Sequence, residues 1–239
     1  MSKRVLVTGG TRGLGNAISV AMKNAGYHVA VTYAGNDAAA RECEAALGIK
    51  AFKWDVADFE ACKQGMELAK AYLGGSIEVL VNNAGITRDA MLHKQTLQGW
   101  QDVIRTNLGS VFNMSRLVID DMRTAKYGRI ISMSSVNAHG AMGQTNYAAA
   151  KAGIEGFTRS LALETARLGI TVNAIAPGYA DTEMMTTIPT EVLTKILEKV
   201  PMNRLGKAKE IAAVAEFLAS DKAAFITGAV IAANGGLRM

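Results

Sequence analysis

The sequence predicts an α/β fold in which helices cover both faces of one doubly wound, seven-stranded parallel sheet. Short β-rich apolar runs alternate with longer helical patterns from one end of the chain to the other. The runs are continuously apolar, as strands buried on both faces require. Strands joined by helical crossovers form a parallel sheet, because each right-handed crossover places its helix over one face. No repeat or linker interrupts the 239 residues, so we expect a single domain over residues 1–239.

The predicted elements follow from hydrophobic periodicity. The strands are Val5–Val7, Val29–Tyr33, Ala51–Trp54, Val79–Val81, Arg129–Ser132, Thr171–Ile175 and Ala229–Ala232. The helices are Leu14–Ala25, Asp37–Leu47, Asp58–Leu73, Leu97–Arg123, Asn146–Leu168 and Lys209–Ala219. Tyr179–Val200 breaks this rhythm and contains a helix-like stretch at Glu191–Lys199. Because it lies beside the carboxyl ends of strands, we expect residues 179–200 to form a small substrate lid.

The composition favours a soluble protein that binds small anionic molecules. The net charge is +5 without any block of Lys or Arg, which suits a diffuse attractive field better than a nucleic-acid interface. Cys43 and Cys62 have no Cys-x-x-Cys neighbour or His cluster, so we expect reduced thiols and no metal site. No apolar run approaches the ~20 residues that span a bilayer, and the first strand leaves no room for a signal peptide. We therefore expect a cytoplasmic protein without a membrane or nucleic-acid partner.

A glycine-rich turn, Thr8–Gly15, directly follows the first strand and opens the first helix. Glycines here let the backbone approach a pyrophosphate, whose charge is met by the helix N-terminus. A purely structural turn is the alternative, but the position in the first βαβ unit favours a dinucleotide site. The predicted binding residues are Gly9, Thr11, Arg12, Gly13, Leu14 and Gly15.

The end of the second strand bears on which dinucleotide is bound. An acid there would take the ribose hydroxyls of NAD, but none precedes Asp37. Arg12 could instead pair with a 2′-phosphate through its fork of donors. This favours NADPH, with Tyr33 and Asn36 lining the same part of the site; the alternative is that Arg12 is a solvated loop charge.

The third and fourth strands also end in segments suited to a ligand. Asp55 and Val56 are placed to contact the adenine, and the turn Asn82–Gly85 lets Asn82, Ala84 and Gly85 approach the ribose. Either segment could be an ordinary turn. Their shared place at the carboxyl ends of parallel strands favours binding.

Tyr147 and Lys151 lie on one face of a predicted helix, four positions apart. A phenol is a poor acid at neutral pH, and a neighbouring ammonium is expected to lower its pKa. An isolated Tyr-x-x-x-Lys is usually helix surface. Here it follows the hydroxyl-rich strand end Ser132–Ser135 in a dinucleotide fold, which favours a catalytic pair.

These motifs together resemble the short-chain dehydrogenase/reductase family over essentially the whole chain. The matching segments are Thr8–Gly15, Asn82–Gly85, Asn107, Ser134-Ser135, Tyr147 with Lys151, and Pro177-Gly178 with Thr182. The resemblance implies a Rossmann fold, hydride transfer between a nicotinamide and a carbonyl, and a homotetramer paired through the long helices after strands four and five.

The resemblance also implies a role for each site residue. Tyr147 donates a proton to the carbonyl oxygen, and Lys151 depresses the Tyr147 pKa and holds the nicotinamide ribose. Asn107 kinks its helix and anchors a water that relays protons. Pro177, Gly178 and Thr182 pack around the nicotinamide.

The catalytic serine is either Ser134 or Ser135. The family's usual interval of thirteen positions before the tyrosine selects Ser134, whereas the local strand pattern selects Ser135. We expect Ser135, because loops accept deletions more easily than strand registers shift. His139 in the following loop is expected to be solvated rather than an acid or base.

Within the family, four segments resemble the bacterial acetoacetyl-CoA reductases. They are Lys53–Val56, Gly85–Asp89, Gly143–Tyr147 and Asn234–Leu237. An acyl-CoA substrate is therefore expected, contacted by Ser135, Gln144, Tyr147 and Tyr179. The 3-oxoacyl-acyl-carrier-protein reductases share much of this pattern, and a non-catalytic dinucleotide-binding regulator on the same fold is a third hypothesis.

Overall fold

A seven-stranded parallel sheet forms the centre of the computed structural model, which describes residues 2–181 and 190–238. The strand order is β3-β2-β1-β4-β5-β6-β9, and every neighbouring pair is parallel. The strands are β1 Arg4–Val7, β2 His28–Tyr33, β3 Lys50–Lys53, β4 Val79–Asn82, β5 Gly128–Met133, β6 Ile170–Pro177 and β9 Val230–Ala233. The strand order reverses between β1 and β4, so the crevice outside their carboxyl ends is where a ligand is expected.

The helices join these strands as predicted, apart from one region. They are α1 Gly13–Asn24, α2 Asp37–Leu47, α3 Phe59–Leu73, α4 Leu97–Val103, α5 Ser110–Ala125, α6 Thr145–Thr165, α7 Thr190–Leu197 and α8 Ala208–Ala219. The sequence predicted one helix over Leu97–Arg123. The structure instead has a π-helical segment, Ile104–Gly109, between α4 and α5.

Both faces of the sheet are buried, which explains why its strands are continuously apolar. Successive side chains of a strand point to opposite faces. Val5 and Val7 therefore join a core with α1 and α8, while Leu6 joins a second core with α3 and α5. All three side chains are fully buried. No helix in residues 2–181 and 190–238 is both long and apolar enough to cross a membrane.

A two-stranded parallel pair outside the main sheet was not predicted. It joins β7, Ala180–Asp181, to β8, Gly206–Lys207. The backbone N–H of Gly206 also donates to the carbonyl of Tyr179 at 2.9 Å. The pair therefore brings the two ends of residues 182–205 side by side. Part of the predicted lid, residues 182–189, lies outside the described residues and includes Thr182.

Candidate active site

The glycine-rich turn after β1 is tight on its inner side and open on its outer side. Gly9 and Gly13 have positive φ angles of 62° and 54°, which L side chains rarely adopt. A Cβ at Gly15 would collide with the carbonyl of Gly9, whereas a Cβ at Gly13 would meet nothing within 4 Å. Because α1 begins at Gly13, the open side presents a helix N-terminus suited to phosphate.

Hydrogen bonds join this turn to the turn after β4. The Thr8 hydroxyl accepts from the backbone N–H groups of Asn83 and Ala84, both at 3.0 Å. The Asn83 side chain donates to the carbonyls of Thr8 and Gly9 at 2.9 and 3.1 Å. The two predicted cofactor segments thus form one rigid wall. Asn83 was not among the predicted site residues, although its position directly after a parallel strand indicates a place at the ligand-binding edge of the sheet.

The remaining residues of that turn face different surroundings. The Asn82 side chain is buried and donates to the hydroxyls of Ser132 and Ser115 at 3.3 and 3.4 Å. Gly85 packs against Asn107, whose Oδ1 would lie 3.3 Å from an added Cβ. Asn82 therefore braces the sheet, while the backbone at Ala84 and Gly85 borders the crevice.

The first acid after β2 already has partners, whereas the Arg12 side chain has none in the described part of the chain. Asp37 is the first acid after β2, and it is held by Lys53 at 2.9 Å and by the Tyr33 hydroxyl at 3.0 Å. Both contacts lower the pKa of Asp37, and the one with the Lys53 ammonium has the larger effect. Asn36 caps α2 by accepting from the N–H of Ala39. Arg12 is exposed and precedes α1 as its N-cap residue.

At the end of β3, Asp55 and Val56 each take part in a hydrogen bond that involves the backbone. The Asp55 carboxylate accepts from the N–H of Ala57 at 2.9 Å. The Asn113 side chain donates to the carbonyl of Val56 at 3.0 Å, and the Val56 side chain is buried. Asp55 is thus the exposed member of the pair at this edge.

Helix α6 docks on the end of β5 and brings the predicted catalytic residues together. The Lys151 ammonium is buried and donates to the carbonyl of Met133 at 2.6 Å. It lies 5.5 Å from the centre of the Tyr147 ring. The Ser135 hydroxyl lies close enough to the Tyr147 phenol to lower its pKa, and it accepts from the N–H of Asn137. Ser135, Tyr147 and Lys151 therefore form one cluster.

Ser134 points to a different neighbour. Its hydroxyl donates to the Glu155 carboxylate at 2.9 Å and lies 3.3 Å from the carbonyl of Lys151. The two serines thus contact α6 at different turns, and it is Ser135 that reaches Tyr147. His139, in the following 3₁₀ turn, is exposed.

The pKa of Tyr147 is raised, so the expected net lowering by Lys151 is wrong in this structure. Burial of the phenol is the largest cause; the hydrogen bond with Ser135 lowers the pKa, and the negative charge of Asp89 raises it. Burial also lowers the pKa of Lys151 to about 8. Desolvation disfavours both charged forms, so Tyr147 keeps its proton at neutral pH.

Asn107 fixes the backbone beside the Asn82–Gly85 turn. Its side chain is fully buried, accepts from the N–H of Ile86 at 2.8 Å and donates to the carbonyl of Ile86 at 2.9 Å. Asn107 lies within the π-helical segment, so the helix that carries it is irregular at this point. The segment packs on α6 where Leu108 contacts Gly153.

Gln144 and Tyr179, two of the four residues predicted to contact substrate, lie in separate surroundings. Gln144 donates to the Asp89 carboxylate at 2.7 Å and accepts from Asn137 at 2.9 Å. Tyr179 instead lines a cavity of about 340 Å³ together with Gly178 and Met202. Gln144 is not part of that cavity's lining, so the structure groups Gln144 with Asp89 rather than with Tyr179. Pro177 ends β6, and a Cβ at Gly178 would lie 2.8 Å from Cα of Asn234.

Known proteins match this chain along almost its full length. A sequence model of a family described as enoyl-(acyl carrier protein) reductase matches residues 9–238. An acetoacetyl-CoA reductase of Shinella zoogloeoides is 56% identical over 99% of this chain and 98% of its own length. One from Paracoccus denitrificans is 55% identical with the same coverage. A 3-oxoacyl-[acyl-carrier-protein] reductase of Pseudomonas aeruginosa is 44% identical, again covering 99% and 98%.

The chain belongs to the short-chain dehydrogenase/reductase family. As a member of this family it is an oxidoreductase that uses a nicotinamide dinucleotide and acts on a small molecule. The hypothesis that the chain is a non-catalytic dinucleotide-binding regulator is therefore excluded.

The residues of this family member fit such a cofactor. The open side of Gly13 at the start of α1 would accommodate a pyrophosphate. The rigid wall built by Thr8 and Asn83 would border the adjoining ribose, and the Lys151 ammonium retains two donor hydrogens beyond the one given to Met133.

The lowered pKa of Lys151 predicts how reduction depends on pH. The ammonium is lost as pH rises through about 8, and with it the positive charge beside Tyr147, the residue that the sequence predicts to donate the proton. We expect kcat for reduction, measured as the initial loss of reduced-nicotinamide absorbance at saturating substrates, to fall as pH rises from about 7 to about 9.5. Lys151→Met should be slow throughout and lack this decline. A wild-type kcat that stays level over the window would contradict the assignment.

Proposed function

We propose that this protein reduces acetoacetyl-CoA to (R)-3-hydroxybutyryl-CoA with NADPH as the reductant. The observation that carries the chemistry is the cluster of Ser135, Tyr147 and Lys151 at the carboxyl end of β5. The substrate is proposed from the relatives named acetoacetyl-CoA reductase, which are 53–56% identical over 99% of the chain. The stereochemistry rests on the same resemblance.

Each side chain of the cluster has a physical task in this proposal. When bound, the nicotinamide supplies a hydride to the carbonyl carbon. The Ser135 hydroxyl lies close enough to the Tyr147 phenol to lower its pKa, so both groups can polarise one carbonyl oxygen. Tyr147 then gives its proton to that oxygen as negative charge develops there. Ser135 and the Lys151 ammonium stabilise the phenolate that remains.

The cofactor preference is proposed from charge. Asp37 is engaged by Lys53 and Tyr33, so it does not present a free carboxylate to a ribose hydroxyl. The Arg12 side chain is exposed and forms no ion pair or hydrogen bond with residues 2–181 and 190–238. Its guanidinium is therefore available to a 2′-phosphate, which only NADPH carries.

The second candidate is a 3-oxoacyl-acyl-carrier-protein reductase. Relatives with that name are 42–44% identical over nearly the whole chain, and the same catalytic cluster would serve both reactions. The family description also names an enoyl reductase. The relatives reported above are all named as reductases of a ketoacyl group, so we favour carbonyl reduction.

Residues 179–200 are proposed to cover the substrate. The pairing of β7 with β8 holds the two ends of this excursion together. Arg204 reinforces the base through a two-pronged ion pair with Glu210, both contacts at 2.8 Å. Because both ends of the excursion are held in this way, the residues between them can close over a bound thioester without disturbing the sheet.

A cytoplasmic homotetramer is the proposed assembly. Ile154 of α6 is buried, and Leu161 and Leu168 pack against the core that contains Leu6, so these apolar side chains stabilise the subunit itself. Exposed apolar side chains do occur on the two long helices, with Phe112 of α5 53% exposed and Leu163 of α6 85% exposed. A reducing compartment fits the free thiols of the two buried cysteines.

Arg12 provides the test of cofactor preference. Wild-type protein should prefer NADPH over NADH, and Arg12→Ala should raise the KM for NADPH by roughly ten- to a hundredfold, the value of a charge-assisted bidentate contact. The KM for NADH should change little and so serves as the internal control. A wild-type preference for NADH would overturn the argument from Asp37 and Arg12.

The substrate is tested by competition between two carriers. We expect kcat/KM to be higher for acetoacetyl-CoA than for acetoacetyl-acyl-carrier protein, and to fall as the 3-ketoacyl chain of the CoA thioester lengthens. The two thioesters share the reacting group, so the comparison isolates recognition of the carrier. Faster turnover of long chains on the carrier protein would transfer the assignment to the second candidate.

A further inference from the structure

A buried carboxylate on α6 has no part in the chemistry described above. Glu155 is only 7% exposed. It lies four residues beyond Lys151 and eight beyond Tyr147, so the three side chains share one stripe of the helix. Burying a carboxylate is unfavourable unless hydrogen bonds compensate it. An apolar residue at this position would fill the same space without the free-energy cost of burying a carboxylate.

Glu155 makes one close contact and one loose contact. Its Oε1 accepts from the Ser134 hydroxyl at 2.9 Å, inside the protein. Its Oε2 accepts from Arg159 at 3.4 Å, and the Arg159 side chain is 58% exposed. A buried hydrogen bond to a charged group is worth more than an exposed ion pair. The contact with Ser134 is therefore the stronger of the two.

Ser134 is the residue through which Glu155 reaches the catalytic cluster. Its backbone N–H donates to the carbonyl of Ile175 on β6 at 2.7 Å, so it is fixed to the sheet. Its chain neighbours are Met133, whose carbonyl accepts from the Lys151 ammonium, and Ser135, whose hydroxyl lies close enough to the Tyr147 phenol to lower its pKa.

Three consecutive residues of this strand end thus meet three successive turns of α6. Met133 is joined to Lys151, Ser134 to Glu155 and Ser135 to Tyr147. Because Ser134 lies between the other two in the chain, a shift of Ser134 moves both catalytic contacts. Glu155 supplies the one contact of the three that involves no reacting group.

We propose that Glu155 is a positioning residue for the reduction, which holds Ser134 against α6 and thereby fixes Ser135 on Tyr147 and the Met133 carbonyl on Lys151. This inference rests on the proposed function of the same cluster. The role is geometric, since burial and not a charged neighbour lowers the pKa of Lys151. A small displacement of catalytic groups is enough to slow a reaction greatly.

The test compares four variants with the wild-type enzyme. Glu155→Leu removes the closer acceptor of the Ser134 hydroxyl and leaves the Lys151 carbonyl at 3.3 Å, whereas Ser134→Ala removes the donor. Glu155→Gln keeps an oxygen that can accept from Ser134, and Arg159→Gln removes only the exposed ion pair. For each variant the kcat and KM for acetoacetyl-CoA, the Kd for NADPH from its fluorescence, and the Tm would be measured, with kinetics well below the lowest Tm.

We expect Glu155→Leu and Ser134→Ala each to lower kcat on the order of ten- to a hundredfold, with KM changed less than about threefold. NADPH should bind about three- to tenfold more weakly to both, because Lys151 loses its fixed position. The double variant should be little worse than either single one. Glu155→Gln and Arg159→Gln should stay within about threefold of wild type in kcat.

Two results would overturn the role of Glu155. One is a set of variants with lower Tm but wild-type kcat and NADPH Kd, which would show a purely structural residue. The other is equal loss in Glu155→Gln and Glu155→Leu, which would show that the charge matters and not the contact with Ser134. A wild-type preference for the carrier-protein thioester would overturn the proposed substrate but not the role of Glu155. The four variants would then be ranked by their kcat with that thioester and by their Kd for NADPH.

Discussion

The buried ammonium of Lys151 donates to the carbonyl of Met133, and this hydrogen bond joins the strand that carries Ser135 to the helix that carries Tyr147. The position of every other group in the catalytic cluster depends on this junction of β5 and α6. An ammonium inside the protein is costly unless its hydrogen bonds are made. That cost appears as a pKa of about 8 for Lys151. The same burial keeps the proton on Tyr147, which suits a group that acts as a proton donor.

The parallel sheet brings the cofactor segments to this junction. All strand pairs are parallel, so the carboxyl ends of β1, β4 and β5 lie at one edge. Asn83 then ties the glycine-rich turn to the β4 turn, and Asn107 ties the backbone at Ile86 to the π-helical segment beneath α6. A contiguous set of hydrogen bonds therefore runs from the phosphate end of the crevice toward the catalytic end. We infer that the crevice is shaped before any ligand binds.

The sequence predicted the sheet well because its signal is local. Strands buried on both faces need continuous apolar runs, and all seven were placed within about two residues. The glycine-rich turn and the Tyr147–Lys151 pair could also be located, since short-range spacing defines both. The π-helical segment was missed, because apolar periodicity changes little when one extra residue enters a helical turn. The small β7–β8 pair was missed because its strands are two residues long.

Side-chain contacts between distant parts of the chain could not be predicted from the sequence. Asn83 contacts Thr8 across 75 positions and Glu155 contacts Ser134 across 21, and neither pairing has a local pattern. The sign of the Tyr147 pKa shift was also mistaken. The effect of a neighbouring charge can be guessed from spacing, whereas the opposing effect of burial depends on the packed structure. Ser135 could be favoured from its strand pattern, but its contact with Tyr147 required the fold.

The proposed mechanism makes Tyr147 the proton donor in a site whose binding functions do not depend on the Tyr147 hydroxyl. The most direct measurement is kcat for acetoacetyl-CoA reduction by Tyr147→Phe, alongside the Kd for NADPH of the same variant. We expect kcat to fall by ~10²-fold or more, the scale of a lost general acid, while NADPH binding and Tm stay close to wild type. A Tyr147→Phe enzyme that retains most of its kcat would show that Tyr147 is not the proton donor.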